Sequence, residues 1–233
     1  MSQVRNCLVM VVLLVPLLGL HASAQADQLL PEIDVYYKLN SDMRVSFQTK
    51  GTREDGTPVT AEIGPSLDYY LKPWTKLGDI VTFGLDESKS RQLVLSVGYR
   101  YLPTPGQPPI NRLEPVATLN FLIRRTRVLL SDRNRGDLDW QGGGFSWRYR
   151  NRVQLERMVT IHSYRLSPYA SAEFFYNSRY GKWSDTAIYA GCLLPIRKHV
   201  EFNPYYEHQN NMGSSPNQPF NQLGLMLSLY VGR

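Results

Sequence analysis

The stretch that most constrains this chain is Ser146 to Glu156, whose character changes at every second residue. Trp147, Tyr149, Val153 and Leu155 fall on one side, with Asn151 the single polar exception. Arg148, Arg150, Arg152, Gln154 and Glu156 fall on the other. A period of two belongs to a β-strand with two unlike faces. Three arginines are too costly for a sealed apolar core. The opposite face is aromatic and aliphatic, so it must meet something apolar. A membrane β-barrel with a polar lumen satisfies both faces at once.

The same alternation recurs along the chain. Ile33, Val35, Tyr37 and Leu39 oppose Asp34, Tyr36 and Lys38, and Met43, Val45 and Phe47 oppose Arg44, Ser46 and Gln48. Further strands are expected from Val59 to Leu71, with a bend or bulge at Gly64-Pro65, and over Gln92–Leu102, Leu113–Ile123 and Thr126–Trp140. Later ones are expected over Pro168–Ser178, Thr186–Ile196 and Val200–Asn210, and at the C-terminal end, where Leu223, Leu225, Leu227, Leu229 and Val231 share a face. Asn40-Ser41-Asp42, Gly142-Gly143-Gly144 and the proline-rich Pro103 to Pro109 read as turns and loops. About eleven strands are clear. Outer-membrane barrels use even numbers, so a short strand at Asp79 to Leu85 is counted as well. The expectation is an all-β, antiparallel transmembrane barrel of about 12 strands, with ten as the other even count. Strands of roughly ten residues suit a tilted crossing.

Composition matters here chiefly for what it excludes. In 233 residues the hydrophobic share is 42%, too low for a helical membrane bundle. A barrel hides from that measure, because only alternate residues face lipid. The net charge of +6 comes without any nucleic-acid-binding motif, so no nucleic-acid partner is expected. Arg5 followed by the apolar run Cys7 to Leu20 and by Ala22-Ser23-Ala24 reads as a signal peptide over residues 1–24, cleaved after Ala24 or Ala26. Residues 27–233 then form a single barrel domain, exported to the outer membrane of a bacterial cell. Only Cys192 remains after cleavage, so no intramolecular disulfide is available. A soluble secreted ligand-binding barrel would turn its apolar face inward. The export signal, the many strands and the amphipathic last strand favour the membrane form.

Several segments resemble a known family. Leu130 to Arg135, Trp147 to Arg152 with Leu155-Glu156-Arg157, Pro168-Tyr169 with Glu173 to Tyr176, and Pro204 to Gln209 are similar to the bacterial domain of unknown function 2490. The resemblance is strongest from Ser131 to Val231. It implies an outer-membrane β-barrel and supplies no activity. The ending Tyr230-Val231-Gly232-Arg233 departs from the terminal aromatic residue that barrel-assembly machinery reads.

The constellation with most chemistry is a charged face. Arg133 and Arg135 should lie near Arg148, Arg150 and Arg152, with Asp137, Glu156, Glu173, Glu201 and Glu207 as partners. In a narrow lumen, guanidinium and carboxylate groups can form bidentate pairs that fill the barrel. They can also mark a path for a small anionic solute. The alternative of a lipid hydrolase needs a serine, a histidine and an orienting group in reach of one another. His162 and Ser163 are adjacent, and on a strand they would point to opposite faces. His208 lies near a strand end and His199 in a turn. No catalytic residue, metal site or cofactor is therefore expected. Trp74, Trp140, Trp147 and Trp183 fall near strand ends, as an interfacial girdle would. The partners implied are outer-membrane lipids, the assembly machinery and a small anion.

Overall fold

Alternating segments become strands, and turn residues end them. The computed structural model describes residues 27–54, 57–72, 84–123, 125–212 and 218–232. The expected signal peptide, Trp74 and most of the Asp79–Leu85 strand lie outside these residues; Gly84 and Leu85 form a bend. The strands are β1 (Asp27–Lys38), β2 (Met43–Glu54), β3 (Thr57–Tyr70), β4 (Leu93–Leu102), β5 (Ile110–Ile123), β6 (Val128–Gln141), β7 (Gly144–Arg157), β8 (Val159–Ile161), β9 (Tyr164–Asn177), β10 (Lys182–Arg197), β11 (Val200–Asn211) and β12 (Gln218–Val231).

Sequence neighbours pair antiparallel, β7 pairs with β9, and β12 returns to β1. Eleven strands thus close a barrel, while the three-residue β8 pairs only with the start of β9. Among the described residues the strands number twelve, β8 included, while the expected Asp79–Leu85 strand falls outside them but for its last two residues. An odd ring leaves its first and last strands running the same way. β1 and β12 accordingly pair in parallel, from Asp27 with Asn221 to Tyr37 with Val231. The all-antiparallel expectation therefore fails at this one seam. Closure leaves no long exposed strand edge.

Gly64-Pro65 does not form the expected bulge. β3 keeps one register with β4 on both sides, Ile63 with Tyr101 and Ser66 with Gly98. The glycine is needed because the Tyr99 carbonyl oxygen would lie 2.0 Å from any Cβ placed there. Register shifts fall instead between Thr52 and Arg53, Trp183 and Asp185, and Pro195 and Arg197. His162 and Ser163 lie on no strand. They form the turn between β8 and β9, with His162 at φ 58°.

Burial is inverted relative to a water-soluble barrel. Asp137 is 0% exposed, Glu156 1% and Glu114 2%, whereas Ile188 is 62% exposed, Phe121 52% and Leu155 51%. The inner face is charged and polar, and the outer face is apolar. Charge inside demands partners within reach, and the lumen supplies them.

Candidate functional site

Two buried carboxylates gather the arginines of β5, β6 and β7. Asp137 on β6 accepts hydrogen bonds from Arg148 Nε at 3.1 Å and Nη2 at 2.8 Å, and another from Arg135 Nε. Arg112 and Arg150 stand 3.9 and 3.8 Å from the same carboxylate. Glu173 on β9 accepts from Arg150 at 2.8 and 3.1 Å, from Arg152 at 3.1 and 2.7 Å, and from the Tyr189 hydroxyl at 2.7 Å. The register explains the geometry, since Asp137 pairs across from Arg148 and Arg152 from Glu173. Arg135 also reaches Glu114, and Arg112 bonds Asp139 at 2.6 and 3.1 Å. Rings close the assembly: Arg150 lies over Phe175 at 4.7 Å and Arg152 over Tyr189 at 4.0 Å.

Arg133 is the exception. It faces Arg152 across the β6–β7 ladder and Thr118 across the β5–β6 ladder. Within this cluster it makes no hydrogen bond or ion pair, and Arg135, Arg152 and Arg150 surround it, with Glu173 as the nearby opposite charge. Arg148 and Arg152 keep 25% and 23% of their side-chain surface exposed. Water therefore reaches this part of the lumen.

The other expected partners lie elsewhere. Glu156, near the end of β7, pairs with Lys89 at 2.7 Å and with none of the arginines. Glu201 accepts from the Tyr230 hydroxyl at 3.3 Å. Glu207 lies buried on β11, where Lys50 is its electrostatic neighbour. Height along the strands separates Glu156 from the arginine cluster, and Tyr189, which faces Glu207 across the β10–β11 ladder, stands between Glu207 and Arg152.

One end of the lumen is crossed by a short 3-10 turn, Glu87–Ser90. Lys38 on β1 pairs with Glu87 at 2.9 Å, Arg44 on β2 with Asp86 at 2.6 Å, and Lys89 with Glu156 on β7. Asn120 on β5 donates to the carbonyls of Ser88 and Arg91 at 3.1 and 2.8 Å. The Asp86 side chain accepts from the Ser88 amide at 2.9 Å and so caps the turn. Burial alone would raise the pKa of Asp86, but Arg44 and then Lys89 outweigh it and hold it at about 2. Burial works against the charge on Lys89, yet Glu156 and Glu201 raise its pKa above the usual value. Both groups stay charged, and the turn is pinned across the barrel mouth as a cork. Sequence periodicity has no signal for it, because Asp86 to Ser90 is an aperiodic polar run. The alternation did carry a signal for Arg112 and Glu114.

Among the described residues, no group of three or more His, Cys, Asp or Glu is placed to hold a metal ion. His208 Nδ1 lies 2.9 Å from Asn221 Oδ1 on the outer face.

Fold and site together define a closed β-barrel with an apolar exterior, a charged interior and one corked end. Residues 27–219 match the model of the family described as "Protein of unknown function (DUF2490)", and the chain belongs to that family. No curated protein matches it.

Proposed function

We propose that the protein is a bacterial outer-membrane β-barrel, exported by its N-terminal signal. Its lumen is mostly filled by the arginine–carboxylate network and the cork. It acts without catalysis, as a structural barrel or a narrow path for small anions. The observation that carries this reading is the inverted burial. An exterior of exposed Ile33, Phe47, Val97, Phe121, Leu155 and Ile188 would drive association in water, whereas a bilayer solvates it. Strands of 14 residues tilted about 40° rise roughly 35 Å, enough to cross the hydrocarbon layer. Trp147 stacks on Tyr176 at 5.5 Å, and Tyr176 meets Trp183 at 5.8 Å, near one end of β7, β9 and β10. Such a group suits the headgroup level. Membrane lipids and the assembly machinery are then its partners. Arg133, beside Arg152 and outside the hydrogen-bonded pairs, favours anions over cations in whatever passage the lumen leaves.

Fractionation and labelling test the reading. The mature chain should stay in carbonate-washed outer membranes and migrate differently on gels before and after boiling. In a Cys192→Ser background, Val153→Cys should resist aqueous maleimide in the bilayer and Arg152→Cys should react. Recovery as a detergent-free soluble monomer, or aqueous labelling at 153, overturns the proposal.

A further inference from the structure

Among the described residues, the outer face carries a cluster of hydrogen-bonded polar side chains far from the strand ends. Asp132, Asn134, Asn151 and Tyr149 break the apolar pattern on two different strands, and the β6–β7 register brings them together, with Asn134 directly across from Asn151. Asn151 Nδ2 donates to Asp132 Oδ1 at 2.7 Å and to Asn134 Oδ1 at 3.1 Å, and Asn134 Nδ2 donates to Asp132 Oδ2 at 3.2 Å. The Tyr149 hydroxyl donates to Asn134 Oδ1. Asn134 and Asn151 lie halfway along strands of 14 residues. Other polar clusters on this face, such as Tyr206–His208–Asn221 and Tyr99–Asn111, sit near strand ends, where headgroups and water reach them.

We propose that the outer wall of β5, β6, β7 and β9 is the contact face between two copies of this chain. The inference rests on the outer-membrane reading, because only in hydrocarbon does the depth of the cluster matter. At mid-depth no lipid headgroup is available, and a carboxylate with amides facing acyl chains is costly. A second protein wall removes that cost. The hydrogen-bond inventory says which wall. Asn151 uses both N–H groups inside the cluster and Asn134 uses one. One Asn134 N–H and the Asn151 carbonyl oxygen are left, on residues that face each other across the ladder. A two-fold axis along the membrane normal, passing between β6 and β7, sets each leftover donor opposite the partner's leftover acceptor. Two reciprocal hydrogen bonds form, which is the self-complementarity an isologous contact requires. On the β6 side the neighbours are small, with Ala117 facing Asn134 and Gly136 next on the same face, while on β9 the exposed Phe174 faces Asn151. Small side chains on β6 let a second wall approach there. The cluster also borders a depression of about 420 Å³, lined by Tyr149, Asn151, Phe174, Trp183, Asp185 and Thr186. The opposite wall has no such interruption, since Leu223, Leu225, Leu227, Leu229 and Val231 fill the outer face of β12.

Cross-linking in native outer membranes tests the proposal on the full chain in a Cys192→Ser background. Copies carrying Asn134→Cys and copies carrying Asn151→Cys, expressed together and mildly oxidised, should give a disulfide-linked band of twice the chain mass. Leu227→Cys on the opposite wall should give none. The double variant Asn134→Leu, Asn151→Leu should keep its heat-modifiable migration while its dimer dissociates about tenfold more readily. Equal cross-linking at Leu227, a monomeric mass for membrane-extracted protein, or an adduct with a different protein overturns the second-copy assignment and leaves the barrel in the membrane. Release of the chain by carbonate overturns the outer-membrane reading itself, and the inference with it.

Discussion

The arginine wall and the parallel seam face each other across the lumen and are built on opposite terms. β5, β6 and β7 turn Arg112, Arg133, Arg135, Arg148, Arg150 and Arg152 inward, while β1 and β11 turn in Glu32, Asp34, Glu201 and Glu207. In an eleven-strand ring, β6 lies about half a turn from the β12–β1 seam. A wall rich in arginine thus opposes one rich in carboxylates, each with counter-charges of its own, Asp137 and Glu114 in the first and Lys50 beside Glu32 in the second. The two walls also hold themselves together differently. The arginine wall depends on two carboxylates, each shared among several guanidinium groups. The seam depends more on rings, with Tyr36 stacked on Tyr230 at 5.1 Å and Tyr205 lying over Gly224, where a Cβ would come within 2.0 Å of the ring. The period of two decides which face a residue occupies. The sign of charge and the means of cohesion are decided wall by wall.

The sharpest way to break this comparison is to remove one charge hub. Asp137→Ala takes from Arg148 its one carboxylate and leaves Arg135 with Glu114 alone, and unpairing a buried charge costs about 3–5 kcal/mol. Urea unfolding of the detergent-refolded barrel should show a loss of that size. Glu32→Gln at the seam should cost about 1 kcal/mol, because the amide still accepts from Gln48, and the lost attraction to Lys50 across the ladder is offset in part by relief of the neighbouring Asp34. Equal losses at the two positions would mean that the walls are not held in different ways.

The cork gives the next effect. Lys89→Met strands Glu156, which is 1% exposed, and should cost about 3 kcal/mol. It should also raise single-channel conductance, since the turn loses its link to β7. The linkage with pH has a definite sign. The pKa of Asp86 is lowered from 3.8 to about 2, so its contribution is complete above pH 3.8 and is lost as pH falls through 2. The pKa of Lys89 is raised above 10.5, so its contribution is complete below that pH and fades above it. Loss of the cork should therefore raise conductance only below about pH 4 or above about pH 10. A step near pH 6 would assign the gate to other groups.

Much of this architecture is legible in the chain, and the limits are physical. Alternation over Trp147 to Glu156 places arginines on one face because a strand has only two faces. It cannot give height. Glu156 sits at the far end of its strand, and Glu207 stands behind Tyr189, which faces it across the β10–β11 ladder, so neither pairs with the arginines despite its parity. Alternation is also blind to the cork, where Asp86 and Lys89 act from an irregular segment. Asp132, Asn134 and Asn151 read as isolated defects until the register sets them side by side. Ring closure was hidden too. The even-number rule brings in a strand at Asp79–Leu85, while the described barrel closes with eleven strands through one parallel pair.

The smallest expected effect isolates charge from cohesion within the arginine wall. Arg133 lies opposite Arg152 with no carboxylate of its own, and like charges directly across a ladder repel. Arg133→Gln should therefore change stability by less than about 0.5 kcal/mol, or raise it slightly, in contrast to Asp137→Ala a few residues along the same strand. Its effect should appear in selectivity. The variant keeps the Asp137 and Glu173 hubs intact and removes one positive charge from the water-accessible side of the lumen. In planar bilayers under a salt gradient, the reversal potential should move toward that of the cation. Arg133→Lys keeps the charge and should restore the wild-type value. A large loss of stability in Arg133→Gln would show that this guanidinium has a structural partner, and the wall would then be cohesive along its whole length.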